Sequence, residues 1–331
     1  MVNVAFELGN QTQEELEYSE NIDSIQYDSL LIMGMGGSGV SGDVLSLLSN
    51  EVSSKKITVR KSYSIPKKIM EVNPFCLFIS YSGNTEETIS GLTDAIRNNL
   101  DWAVISSGGK LIELAREHNK EYIKIPDGLQ PRAAFGYLTQ AVCKVVDVAE
   151  GTSFIKELKD AGDYLNQILN EKEDSDIFIE AKKIANQVDK KTCIIYGGTD
   201  LSELVASRWK TQINENAKSK AFVGSMPEVH HNEILSWDAD LEGSKTNYVL
   251  IFLRDNSEYS QITKRFDLTQ KLLGEKVEIL NIEAKSQSTT LIKLMELVLL
   301  GDLFSLSLAD QLNMIPEDIE GIENLKKLLE D

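Results

Sequence analysis

Long apolar runs are missing from this sequence: none approaches the roughly 18 residues that a membrane-spanning helix requires. Residues 1–8 lack a basic segment followed by a long apolar core, so they do not predict a secretory signal. Cysteine is scarce, and Cys76, Cys143 and Cys193 follow no metal-ligand or disulfide spacing. We therefore predict a cytoplasmic protein with buried free thiols, no metal site and no membrane association.

Positive charge is also in short supply. The 331 residues contain 34 Lys and Arg against 52 Asp and Glu, a formal net charge of −18. This balance argues against nucleic-acid binding, which requires a basic surface. A hydrophobic content of 42% is enough for packed cores, and the length suits two domains. Any anionic ligand would need a locally positive site built from backbone N–H groups and a few basic side chains.

Glycine, by contrast, is concentrated in one place. Residues 31–43 pass from an apolar strand, through four glycines within six residues, into a helical pattern. Glycines let another group approach the backbone closely, and the N-terminus of a helix offers free N–H groups to an anion. Gly36, Gly37 and Ser38 are therefore predicted to form a phosphate-binding loop. The alternative is a tight strand-to-helix turn that binds nothing.

The same glycines fit the dinucleotide fingerprint G-x-G-x-x-G at Gly34, Gly36 and Gly39. That fingerprint expects an acidic residue at the end of the next strand, where it holds a ribose hydroxyl. The next predicted strand ends instead in Arg60 and Lys61. The pattern therefore disfavours a dinucleotide, although basic residues would suit a 2′-phosphate, and an NADP-linked oxidoreductase remains an alternative.

A second loop carries an unusual density of hydroxyl groups. The apolar strand 75–79 is followed by Ser80, Ser82 and Thr85, just before a helical pattern. A helix N-cap needs only one hydroxyl. Because the carboxyl ends of parallel strands meet at one edge of a sheet, both loops are predicted to contribute to a single anion site.

Strand and helix patterns alternate from about residue 28 to residue 125, which predicts a parallel, doubly wound sheet. The polar residues 10–24 before them are predicted to form a helix. From residue 191 a strand, a loop and a helix repeat the same logic, without the hydroxyl-rich loop. We predict a tandem α/β protein with domains over residues 1–150 and 151–331.

Residues 33–43 and 80–88 resemble the sugar isomerase (SIS) domain, and more specifically the bifunctional phosphoglucose/phosphomannose isomerase family. The resemblance implies two flavodoxin-like SIS domains in tandem, followed by a C-terminal helix. It implies binding of a small sugar phosphate without any cofactor, and aldose–ketose isomerisation through a cis-enediol(ate). The residues that it assigns to the substrate phosphate are Gly36, Gly37, Ser38, Ser80, Ser82 and Thr85.

The resemblance also assigns two charged residues near the sugar carbons. Residues 212–218 match the family segment that supplies its base, which places that role on Glu215. Composition alone would favour an ordinary surface carboxylate there. Residues 130–134 match the segment whose arginine stabilises the enediolate, which assigns Arg132. An arginine at the start of an apolar helix could equally extend to the surface.

Ring opening is assigned to a histidine and a lysine. In relatives the histidine before Asn-Glu reaches the site from the neighbouring subunit, which implies His231 and an obligatory homodimer. No role follows for His230. The family's C-terminal lysine corresponds to Lys326, with Lys327 as the close alternative.

One departure concerns substrate choice. Bifunctional relatives have a threonine in the terminal segment that is credited with admitting the mannose epimer, and residues 301–331 contain none. Glu317 lies in the corresponding region. The resemblance therefore implies the glucose 6-phosphate reaction and leaves mannose 6-phosphate open. A regulator that binds phosphosugars without catalysis is the alternative from a different functional class.

Overall fold

The structure is a computed structural model that describes residues 1–330, and it divides into two compact units. The first unit is Glu7–Asn166. The second unit joins Met1–Phe6 to the chain from Gln167 onward. The predicted domains were residues 1–150 and 151–331. In the structure, residues 1–6 belong instead to the second unit, and residues 151–166 belong to the first.

Helices and strands alternate along most of residues 1–330. The strands are β1 (Glu17–Tyr18), β2 (Ser29–Gly34), β3 (Lys56–Arg60), β4 (Phe75–Ile79), β5 (Trp102–Ser106), β6 (Glu121–Lys124), β7 (Thr192–Gly197), β8 (Ala221–Ser225), β9 (Tyr248–Arg254) and β10 (Glu278–Glu283). The α-helices are α1 (Val2–Phe6), α2 (Leu8–Gln11), α3 (Gly36–Val52), α4 (Lys67–Met70), α5 (Glu86–Arg97), α6 (Gly109–Glu117), α7 (Phe135–Glu150), α8 (Phe154–Ile168), α9 (Asp176–Val188), α10 (Asp200–Asn216), α11 (Leu241–Asn247), α12 (Ser260–Leu273), α13 (Thr290–Gln311) and α14 (Glu320–Glu330). Short 3₁₀ segments are Ile22–Ser24, Pro131–Ala133, Lys172–Asp174, Glu228–His231 and Glu233–Asp238.

The first unit is built on a sheet with the strand order β1-β6-β5-β4-β2-β3. The five strands β2 to β6 run parallel to one another. Strand β1 pairs antiparallel with β6 at the edge of the sheet. Residues 30–33 of β2 and 76–79 of β4 are fully buried, as expected where helices cover both faces of a parallel sheet. The predicted doubly wound α/β fold is confirmed. Because β2 lies between β3 and β4, the chain changes direction across the sheet at β2 and β4.

The second unit has a smaller parallel sheet with the order β10-β9-β7-β8. Its first strand, β7, again lies between the next two strands in the chain, β8 and β9. The direction of winding therefore changes between β7 and β9, as it does between β2 and β4. The two sheets thus offer topologically equivalent crevices at the carboxyl ends of their strands.

The predicted helix over residues 10–24 is wrong. The structure has only the end of α2, then β1, then the 3₁₀ turn Ile22–Ser24. The backbone of residues 17 and 18 instead pairs with Ile123 and Lys124 of β6. A strand so short and so distant in sequence from its partner leaves no periodicity to detect.

Packing around α13 accounts for much of the second unit's core. This helix is buried along most of its length, and Trp209 of α10 donates a hydrogen bond to the Leu297 carbonyl at 2.8 Å. No helix within residues 1–330 combines the length and the apolarity needed to cross a membrane. Cys76, Cys143 and Cys193 are buried free thiols, as predicted. Burial raises the pKa of Cys193 to about 12.

Candidate active site

The glycine loop, residues 34–39, comprises the end of β2 and the first turn of α3 in the first unit. Gly36 has a φ of +51°, in the left-handed region that favours glycine. A Cβ atom added to Gly37 would lie 3.2 Å from the Pro131 carbonyl oxygen and 3.4 Å from the Arg132 Cα atom. Glycine therefore lets the segment that carries Arg132 pass close to the start of α3. The first N–H groups of α3 face the crevice end of the sheet with the positive end of the helix dipole.

The hydroxyl-rich loop after β4 is folded on its own side chains. The Ser80 hydroxyl lies 2.7 Å from the Thr85 hydroxyl and accepts a hydrogen bond from the Gly83 N–H at 3.1 Å. The Ser82 hydroxyl accepts from the Asn84 N–H at 3.2 Å. Thr85 occupies the N-cap position of α5, but its side chain makes no capping hydrogen bond. The Ser80–Thr85 hydrogen bond uses one of those two O–H groups, so the O–H of the other residue and that of Ser82 remain as donors.

The glycine loop and the hydroxyl-rich loop are in direct contact. The Tyr81 N–H donates to the buried Ser38 hydroxyl at 3.0 Å, which joins the carboxyl ends of β2 and β4. Ser38, Ser80 and Thr85 therefore belong to one cluster in the first unit. The structure brings together the two loops that the sequence predicted to share an anion.

Tyr81 is the residue at this site that the sequence argument passed over. Its carbonyl accepts from the Ser106 and Ser107 hydroxyls at 3.3 and 2.7 Å, and its own hydroxyl accepts from the Leu129 N–H at 2.9 Å. Burial, partly offset by the Leu129 contact, raises the Tyr81 pKa. Its position two residues after the end of β4, between Ser80 and Ser82, was the available signal. The loop after β5 therefore supports the hydroxyl-rich loop through Tyr81.

Arg132 lies in the 3₁₀ turn Pro131–Ala133 and is 3% exposed. The surface-directed alternative is therefore wrong. The turn is held by Gln11, whose amide donates to the Ala133 carbonyl at 2.8 Å and accepts from the Gly136 N–H at 2.9 Å. Arg132, whose guanidinium carries a fixed charge, is therefore buried in the first unit, with its backbone beside the glycine loop.

Glu215 is the penultimate residue of α10 in the second unit, and it is half-buried. With Asn214, Lys218, residues 318–322 and Asn324 it lines an open cavity of 560 Å³. The Lys218 ammonium donates to the Glu215 carbonyl at 2.6 Å and to the Pro316 carbonyl at 3.3 Å. Lys218 thus ties the end of α10 to the segment that leads into the terminal helix. Sequence reasoning gave Lys218 no part in the site.

His231 ends the 3₁₀ turn Glu228–His231, and its side chain is exposed. The adjacent His230 points elsewhere, with its ring nitrogens 2.7 Å from the Thr269 hydroxyl and 2.9 Å from an Arg265 guanidinium nitrogen. The two adjacent histidines therefore have different surroundings. Within residues 1–330 no group of three or more metal-ligating side chains is assembled.

Lys326 and Lys327 both lie on α14, and both are exposed. The helix also exposes Leu325 and Leu328, at 59% and 72% of their surfaces. The structure therefore places Glu215, His231 and Lys326 on three different elements of the second unit: the end of α10, a 3₁₀ turn and α14.

Comparison with known proteins adds a second kind of observation. The model of the bacterial phospho-glucose isomerase C-terminal SIS domain matches residues 179–329. The bifunctional phosphoglucose/phosphomannose isomerase of Aquifex aeolicus is 34% identical over 310 residues, which span 93% of this chain and 92% of that protein. The protein of the same name from Thermoplasma acidophilum is 32% identical, spanning 94% of this chain and 97% of its own length.

A solved structure shares the fold at low identity. The C-terminal domain of glucosamine-fructose-6-phosphate aminotransferase from Francisella tularensis aligns with a TM-score of 0.69 at 13% identity. The alignment covers 96% of this chain and 97% of that chain. At this identity the likeness concerns architecture alone.

Proposed function

The chain belongs to the bifunctional phosphoglucose/phosphomannose isomerase family, and from that membership we propose that it is an aldose–ketose isomerase of hexose 6-phosphates. It interconverts glucose 6-phosphate and fructose 6-phosphate, with mannose 6-phosphate as a second aldose. The reaction reduces C1 of the aldose while oxidising C2 of the same molecule. It therefore needs no external oxidant or reductant, and the proposal includes no cofactor.

The observation that carries the proposal is the hydrogen bond from the Tyr81 N–H to the Ser38 hydroxyl. It fixes the glycine loop against the hydroxyl-rich loop, at the place where an open α/β sheet binds its ligands. Backbone N–H groups of Gly36 and Gly37, with hydroxyls of the second loop, suit a phosphate dianion in a protein of net charge −18. Binding the phosphate positions the sugar carbons remote from it.

The proton transfer is assigned to Glu215. In the open-chain aldose its carboxylate takes the proton from C2 and leaves the cis-enediol(ate), whose O1 gains a proton from water. The carboxylic acid then returns the proton to C1 as the O2 hydroxyl gives its own proton to the hydroxide left by that water, and the ketose results. Arg132 supplies the positive charge that stabilises the oxygens of the intermediate.

Ring opening precedes this step and is assigned to His231 and Lys326. His231 is exposed in the chain, which suits a residue that completes the site of a second copy. We accordingly propose a homodimer in which each chain lends His231 to its partner. Size-exclusion chromatography with light scattering tests the dimer independently of activity.

The decisive experiment is Glu215→Gln, assayed with glucose 6-phosphate and fructose 6-phosphate and followed by exchange of the C2 proton in heavy water. Loss of one general base should lower kcat by on the order of 10²–10⁴. Glu242→Gln, the same chemical change on an exposed helix of the second unit, should keep the wild-type rate.

Three results would contradict the proposal in different ways. Wild-type turnover in Glu215→Gln would remove the assigned base. A wild-type protein that is thermally stabilised by fructose 6-phosphate, yet exchanges no proton at C2, would instead be a phosphosugar-binding regulator. Turnover of glucose 6-phosphate without turnover of mannose 6-phosphate would restrict the proposal to one aldose.

A further inference from the structure

One turn of 3₁₀ helix, Glu228–His231, sends three consecutive side chains in three directions. A 3₁₀ helix has three residues per turn, so neighbouring side chains diverge by about 120°. Val229 is 4% exposed and packs in the core of the second unit with Tyr196 and Phe252. His230 turns towards α12, and His231 is left exposed.

The hydrogen-bond partners of His230 determine which of its two ring nitrogens carries the hydrogen. A guanidinium can only donate, so His230 Nδ1 accepts from the Arg265 nitrogen at 2.9 Å. His230 Nε2 therefore carries the hydrogen and donates to the Thr269 hydroxyl at 2.7 Å. That hydroxyl in turn donates to the Arg265 carbonyl at 2.7 Å. These three hydrogen bonds are satisfied together only by the neutral His230 tautomer that carries its hydrogen on Nε2.

The helix that holds the partners of His230, α12, is firmly packed in the second unit. Thr269 is fully buried, and Phe266 and Leu273 fix the same helix, α12, in the core cluster. Burial, followed by the electrostatic effects of Arg265 and His231, lowers the pKa of His230, in keeping with the neutral ring. His230 is thus attached to a part of the second unit that has little freedom to move.

We propose that His230 is a positioning residue, whose paired hydrogen bonds to Thr269 and Arg265 fix the direction in which the neighbouring His231 is presented to the sugar ring. The inference rests on the proposed function, because it gives His231 the ring-opening role. His230 itself does not touch substrate. A displacement of about 1 Å in a reacting group is enough to lower a rate by about 10²-fold.

The test is a double-mutant cycle on kcat and KM for glucose 6-phosphate. His230→Ala should lower kcat about 10- to 100-fold and leave KM within about threefold, because phosphate binding is untouched. In a His231→Ala background the same substitution should cause no further loss, since His230 acts only through His231. His118→Ala, which removes an exposed histidine of the first unit, should leave kcat unchanged.

Two further variants keep the test valid if His230→Ala folds poorly. His230→Gln retains a donor for Thr269 and should recover part of the lost kcat. Thr269→Val keeps the shape of the side chain, removes the hydroxyl that His230 contacts, and should lower kcat in the same direction.

The outcomes separate this inference from the function on which it rests. An unchanged kcat in His230→Ala would overturn it. A loss that adds fully to that of His231→Ala would also overturn it, because a purely structural effect does not depend on His231. If His231→Ala itself keeps the wild-type kcat, the ring-opening role falls and takes the inference with it, while isomerisation by Glu215 stands or falls on its own assay.

Discussion

The crevices of the two sheets share a topology and differ in the first side chains that follow the strands. In the first unit Ser80 comes directly after β4, and its hydroxyl belongs to a loop of hydroxyls and glycines. In the second unit Asp255 comes directly after β9. Its carboxylate lies 2.8 Å from the Lys293 ammonium, with both side chains buried.

Asp255 is surrounded much as a bound anion would be. The Ser257 hydroxyl and N–H and the Thr199 hydroxyl donate to its two oxygens, the Thr199 contact being long at 3.4 Å. Burial alone would raise the pKa of Asp255, but the hydrogen bonds from Lys293 and Ser257 outweigh it and lower the pKa. The second crevice is therefore filled by the chain's own carboxylate. The sheet topology provides a crevice in both units, but the side chain that follows the strand decides whether that crevice can bind an anion.

The largest effect is expected from breaking this internal pair. Asp255→Asn leaves the buried Lys293 ammonium without its carboxylate and should lower the free energy of unfolding by about 3 kcal/mol, the lower end for such pairs, because Asn256 still accepts from it at 3.0 Å. Urea denaturation at pH 7 measures the loss. Glu180→Gln, at the exposed pair with Lys285, should cost less than about 1 kcal/mol.

The same variant has a defined pH dependence and a defined effect on binding. The folded pKa of Asp255 is lowered from 3.8, so the advantage of wild type over Asp255→Asn is complete above that value and disappears as the pH falls through the folded pKa. KM for glucose 6-phosphate should stay at the wild-type value. A raised KM would mean that the second crevice takes part in substrate binding.

A smaller effect should follow from placing a carboxylate in the crevice of the first unit, as Asp255 does in the second. Ser82→Asp adds a carboxylate to the exposed part of the hydroxyl-rich loop and preserves an acceptor for the Asn84 N–H. Repulsion of the phosphate dianion should raise KM about 100-fold, with the melting temperature unchanged. Ser82→Asn has the same shape without the charge and should raise KM only a few-fold. Equal KM values for the two variants would place the phosphate elsewhere.

The smallest effect is expected from a comparison of two buried serines, Ser38 and Ser202, which are the third residues of α3 and α10. Ser38→Ala removes the acceptor of the Tyr81 N–H and should raise KM about tenfold, with a stability loss of about 1–3 kcal/mol. Ser202→Ala breaks the capping box of α10 with Thr199 and should cost about 1 kcal/mol of stability without changing KM. Steady-state kinetics and thermal unfolding of both variants decide the comparison. Matching KM changes would mean that Ser38 acts only through stability.

Local signals explain what the sequence could predict. Glycine at 36 and 37 and hydroxyls at 80, 82 and 85 lie within single turns, where residue type limits backbone geometry and hydrogen bonding. Apolar runs such as 75–79 mark strands that are buried on both faces. These features predicted the sheet of the first unit, and the contact between its two loops follows from parallel strand ends.

Partners distant in sequence explain the rest. β8 gives no clear strand pattern in the sequence, because Phe222 and Val223, at 56% and 42% exposure, lie on an edge strand that mixes apolar residues with Gly and Ser. The burial of Arg132 depends on the path of the glycine loop, and the attachment of His230 depends on α12, more than 30 residues later. Nothing adjacent to these residues in the sequence encodes such contacts.

The helix at the start of the chain, α1, packs on α13 and places Phe6 against Phe178, with 5.6 Å between the ring centroids. α1 must therefore wait for α13, which is translated after the whole of the first unit. Glu7–Asn166 can emerge and fold during that interval as an insertion within the second unit. A gene cut between residues 166 and 167 would separate α1 from the surface that it covers, so a fragment carrying α13 would need Met1–Phe6 grafted back in front of it.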